Sequence, residues 1–190
     1  MTWLGTAATC GISWIDDPPS HPVPVVARFS RGMGLPPALP DILGLALRTR
    51  AGAQTVDLEL ASTGVGWPSR FLLAPRRTPT GATFGSLLPY RSSRGPILVC
   101  ARSARRRPLP ASTSDLAVAL REEPWRVRLY FATPRGRWHP FAEAALRPSA
   151  DQEDRELRFD SVRHPLPGAG TYRWVERVRQ PSYLRVQGPQ

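Results

Sequence analysis

Three short apolar runs between Pro22 and Leu60 restrict this chain to antiparallel strands, because each run is cut off by a turn signal. Val23 to Phe29 breaks at Ser30-Arg31-Gly32, and Ile42 to Leu47 ends in Arg48-Thr49-Arg50 followed by Ala51-Gly52. The third run, Val56 to Leu60, alternates apolar residues with Asp57 and Glu59. The same logic predicts a strand at Arg70–Ala74 and a hairpin from Phe84–Tyr90 and Pro96–Arg102 across Ser92-Ser93-Arg94-Gly95. Trp125 to Phe131 alternates cleanly, setting Trp125, Val127, Leu129 and Phe131 on one face and Arg126, Arg128 and Tyr130 on the other. Trp138–Leu146 and Glu156–Asp160 complete the set, and Asp115–Leu120 is read as strand over helix. Residues 171–187 read as the one helix of consequence, with Pro181 set to kink it.

Eight or nine short strands closed by a C-terminal helix describe an antiparallel barrel. The 22 prolines and 15 glycines support strands and loops over a helical bundle. A length of 190 residues fits one domain with a substantial core, here residues 22–190 behind a poorly patterned segment 1–21. The expected fold is therefore mainly β (α+β): a closed antiparallel β-barrel carrying a helix at its C-terminal end.

The segment Pro22 to Ser30, with Arg28-Phe29-Ser30 at its end, resembles the strand of haem catalases that carries their Arg-Phe-Ser motif. Pro40-Asp41-Ile42-Leu43-Gly44-Leu45-Ala46-Leu47-Arg48 is similar to the strand that follows in that family, and the spacing is kept through Asp57-Leu58. The closest likeness is to small catalase-like proteins that have the haem-binding core and little else. Near the other end, Arg179 and Tyr183 resemble the Arg-x-x-x-Tyr arrangement through which catalases ligate haem iron. Residues four apart share a helix face, so a guanidinium beside a phenol favours the phenolate, a known axial ligand of ferric haem. The resemblance implies haem as cofactor, Tyr183 as iron ligand, Arg179 as its charge partner and Arg28 as a propionate contact. It also implies a peroxide as substrate.

On the distal side the likeness ends. The family's histidine lies well upstream of the Arg-Phe-Ser strand, and His21 stands only seven residues before Arg28. The family's asparagine position holds Ala61, beside Ser62, and no asparagine occurs anywhere in the chain. The basic positions expected after the ligand tyrosine are cut short at Gln190. Either peroxide chemistry has been lost, or the histidine lies upstream of this start. Full catalase activity is accordingly not expected, and the function implied is haem binding with weak peroxidase-type oxidoreductase activity. The alternative is a non-enzymatic barrel that has lost haem and binds a small ligand or a partner.

The net charge of +11 comes from 26 basic residues, every one of them arginine. Such a balance ordinarily points to nucleic acid or an acidic membrane surface. Absence of lysine together with abundant Ala, Pro and Gly suggests instead the codon bias of a GC-rich genome, so nucleic acid is not the expected partner. Base stacking needs aromatics and arginines interleaved on one face, and the Trp125–Phe131 strand separates them. His21, His139 and His164 each precede proline and read as loop positions without zinc spacing. No Gly-x-Ser-x-Gly elbow or phosphate-binding glycine loop occurs, which disfavours hydrolase and phosphodiesterase readings. The pairs Asp16-Asp17 and Glu122-Glu123 read as solvated turns, and Arg105-Arg106-Arg107 as a solvated loop. Cys10 and Cys100 form no ligand spacing, and Cys100 reads as a small buried hydrophobe. No signal peptide or membrane-length run is apparent, so the expected setting is cytoplasmic with reduced thiols.

Overall fold

A computed structural model describes residues 1–149 and 158–175. In chain order its elements are β1 (Thr2–Trp3), a single helical turn α1 (Ser13–Asp16), β2 (Val26–Arg31), β3 (Leu43–Ala51) and β4 (Gln54–Thr63). A 3₁₀ turn (Ser69–Phe71) then leads to β5 (Thr83–Gly85), β6 (Tyr90–Ser92), β7 (Gly95–Ser103), α2 (Thr113–Glu122), β8 (Trp125–Ala132) and β9 (His139–Leu146). All pairings between these strands are antiparallel, and the sheet runs β1-β9-β8-β7-β5-β4-β3-β2 with β6 added against β7.

The path has two ends, so the expected closed barrel is corrected to an open half-barrel. β1 is too short to form a ladder with β2. Among the described residues the two ends approach through the backbone just ahead of β2, from Met1 N to Val23 O at 2.6 Å and from Val23 N to Met1 O at 2.9 Å. The inner face is instead filled from the N-terminal side. Cys10, Ile12, Trp14 and Ile15 are buried in one core with Leu45, Leu58, Phe84, Val99, Leu129 and Phe141. Residues 1–21 thus contribute directly to the hydrophobic interior. Asp16 helps hold them there, its carboxylate accepting from Cys10 N at 2.9 Å and Gly11 N at 2.7 Å, so it is not the solvated turn acid expected.

Strand alternation explains which side chains fill that face. Trp125, Val127, Leu129 and Phe131 of β8 are buried as their spacing requires. Opposite them, β9 carries a bulge: Leu129 pairs Ala142 and Tyr130 pairs Pro140, leaving Phe141 without a partner in the ladder. Proline cannot donate to a ladder and is tolerated at such a break. Phe141 turns into the core, edge-on to Trp14 at 5.8 Å between ring centroids. His139 opens β9 and stacks on Phe131 at 5.4 Å, so it is a strand residue after all.

Two further strand expectations are corrected. Asp115–Leu120 lies inside helix α2, where Ser112 accepts a hydrogen bond from Asp115 N at 3.1 Å as N-cap. Arg70–Ala74 begins within the 3₁₀ turn, where Arg70 N donates to Gly66 O at 2.7 Å, and only Leu73 bridges Thr63. Residues 158–160 of the expected strand at Glu156–Asp160 are not in a strand, and the rest of it lies outside the described residues. Of the helix expected over 171–187, positions 173–175 are helical and those beyond Val175 lie outside the described residues. No helix among the described residues is long and apolar enough to cross a membrane.

Candidate functional site

Register places the chemistry-bearing residues of β2, β3 and β4 on the outward side of the sheet. Val26 pairs Arg48, and Arg48 pairs Asp57; one step along, Arg28 pairs Ala46, and Ala46 pairs Glu59. The next row holds Ser30, Gly44, Ala61 and Gly85 side by side across four strands. Since side chains alternate across a strand, these three rows share one face while Phe29, Leu45 and Leu60 turn to the core. The last row is tight as well as small. A Cβ built on Gly44 falls 2.5 Å from Ser30 Oγ, and one on Gly85 falls 2.7 Å from Thr63 Oγ1.

Segment 158–166 docks beside this face along the free edge of β4. Asp57 N donates to His164 O at 2.9 Å, continuing the edge where β5 does not reach. The fully buried Asp57 carboxylate accepts from Arg48 Nε at 2.7 Å and Arg48 Nη2 at 2.6 Å, a two-pronged pair. Its Oδ2 also accepts from Asp160 N at 2.8 Å and lies 2.9 Å from His164 Nδ1. Glu59 Oε2 accepts from Ser161 Oγ at 2.8 Å and from Ser161 N at 3.2 Å. Between them the Phe159 ring lies against two guanidiniums, 5.2 Å from that of Arg28 and 5.0 Å from that of Arg48.

Burial by itself raises the pKa of Asp57, but Arg48, the Asp160 N–H and His164 outweigh it and hold the carboxyl below its ordinary value. Among the described residues His164 is the one histidine paired with a carboxylate. His21 meets Ser20 in an exposed turn and His139 is stacked on Phe131. Segment 158–166 is clasped to the sheet by these bonds, and one titratable imidazole is fixed in the clasp.

Of the residues expected to form a haem site, Arg28 is on the outward face, while Arg179 and Tyr183 lie outside the described residues. Ala61, at the family's asparagine position, shares Arg28's face one row along, and Ser62 turns inward to accept from Leu43 N at 3.0 Å. No local spacing marks His164, because its partner is distant in sequence. Its own neighbourhood, a histidine before proline, says only that the backbone is extended there. No family model, curated protein or solved structure matches this chain. The likeness to catalases therefore rests on the motifs quoted above.

Proposed function

We propose that the chain is a catalase-like haem-binding protein whose binding face is the outward side of β2, β3 and β4. The observation that supports this reading is the cross-strand register. A flat macrocycle needs a surface from which no long side chain projects, and Ser30, Gly44 and Ala61 form such a strip, ending at the buried Gly85. Beside it stands Arg28, a guanidinium whose fork suits a propionate carboxylate. In this reading Tyr183 ligates the iron and Arg179 favours its phenolate. Bound haem supplies ferric iron for redox chemistry with a peroxide. The chain's part is to seat the ring and bind its carboxylate. Weak peroxidase-type turnover fits that distribution better than full catalase activity, since Ala61 offers no amide to orient a peroxide.

A second reading, a non-enzymatic sheet protein for a small ligand or partner, is favoured by the packed inner face, which has become a hydrophobic core. Absorbance titration of the purified chain with haem separates the two. The haem reading expects a Soret shift that saturates near one haem per chain and moves in Tyr183→Phe. Arg28→Ala is expected to weaken binding roughly ten- to a hundredfold, the range for a charged hydrogen bond. If no saturable shift appears, or if all three proteins give the same spectra, the haem reading falls and the second stands.

A further inference from the structure

At the far end of the outward face, arginines and aromatic rings interleave without a carboxylate among them. Arg102 of β7 lies 5.2 Å from the Tyr130 ring and 5.6 Å from the Trp138 ring, and Arg70 lies 4.7 Å from the same Trp138 ring. Arg70 is only 6% exposed, its Nη1 donating to the carbonyls of Thr133 at 3.0 Å and Gly136 at 3.1 Å. The Nε atoms of both arginines and Nη2 of Arg102 are buried with no oxygen or nitrogen partner, the Cys100 thiol being the polar group beside Arg102. Neither guanidinium makes an ion pair among the described residues. Burial, with Arg102 close by, holds Arg70 below the ordinary guanidinium value.

A buried charge beside a half-buried one of the same sign is costly unless something answers them. The carbonyls and ring faces answer part of that cost, and an anion in the site answers the rest. Glu143, in the same cross-strand row two strands over, is taken by Arg126 and Arg128, and no other acid lies between Glu59 and Asp115 or between Glu123 and Glu143. Trp138 Nε1 donates to Val65 O at 2.9 Å and so ties the loop before the 3₁₀ turn to the turn between β8 and β9. On that loop Trp67 is 57% exposed, with the Arg135 guanidinium 5.0 Å from its ring.

We propose that Arg70, Arg102, Arg135 and Trp67 form a binding site for single-stranded nucleic acid, the guanidiniums taking phosphates and the Trp67 ring stacking on a base. Arginine forks match phosphate oxygens, and an exposed indole stacks on any base that is not already paired. The β8 strand does separate its aromatics from its arginines, as its alternation requires. Interleaving arises instead where two loops meet, which no strand pattern reports. The site is independent of the haem reading and lies on other elements.

The test is fluorescence anisotropy of the full chain with labelled oligo(dT), and in parallel oligo(U), over a salt series. Saturable binding is expected that weakens steeply with salt. Trp67→Ala, which removes an exposed ring, is expected to lower affinity roughly five- to a hundredfold. Arg102→Lys, which keeps the charge and loses the fork, is expected to weaken binding with the melting temperature checked alongside. Equal binding by all variants would assign the effect to diffuse arginine charge and overturn the proposal. Tripolyphosphate binding as tightly as the oligonucleotides, with Trp67→Ala unaffected, would make this a simple anion site and overturn it equally.

Discussion

Asp57 joins three parts of the chain: its own strand, the neighbouring β3 through Arg48, and the distant segment 158–166. Its carboxyl is held below the ordinary 3.8 in the fold, so the unfolded chain binds a proton more readily. The stability it contributes is then fully present above about pH 3.8 and is lost as pH falls from there through the folded-state value. Replacing it by alanine leaves Arg48 without its carboxylate. The expected cost at neutral pH is about 3 kcal/mol, the low end for a buried pair because Arg48 keeps 22% of its side chain in solvent. Denaturant titrations of wild type and Asp57→Ala at several pH values check this, and the gap between them should shrink as the solution is acidified past 3.8. Half of this site was legible in advance. Gly52 has φ of 60° and is the first of two residues between the paired positions Ala51 and Gln54, so counting outward from that turn sets Arg48 opposite Asp57. Asp160 and His164 were not legible, because no local pattern links residues a hundred positions apart.

Among the elements, α2 shows how two periodicities compete for the same letters. Leu116, Val118 and Leu120 share a face in a strand, whereas in a helix Val118 points away from the other two. Leu116 and Leu120 are buried and Val118 is 57% exposed, so the helical period decides. The deciding signal was present just ahead, in Ser112 followed three residues later by Asp115. Ser112→Ala is expected to cost about 1 kcal/mol by removing the cap on Asp115 N, measured as a shift in denaturation midpoint with an unchanged slope. Ser112→Gly should cost only a few tenths as much. The long strands were legible for the opposite reason. In β3, β4 and β8 turn chemistry and alternation agree, while β7 is legible as a continuous apolar run bounded by a turn.

At the scale of the whole molecule, the two cysteines report on both faces of the sheet. Cys10 belongs to the inner core, and Cys100 lies on β7 in register with Gly85 and Tyr130 of the outward face. Burial pushes both thiols up to about 12, and only the thiolate reacts. At pH 8 the native chain is expected to leave both unlabelled by a disulfide reagent, and denaturant should release two equivalents together. Rapid labelling of either thiol in the folded protein would show that its face of the sheet is open. The pairing of β1 with β9 has a further consequence. Thr2 faces Glu143 and Trp3 faces Ala142, so this edge is held by a pairing of very high sequence separation, whose loop-closure cost falls due before the contact forms. Until β9 is in place Trp3 has no strand to lie against, so this edge of the sheet settles after its middle.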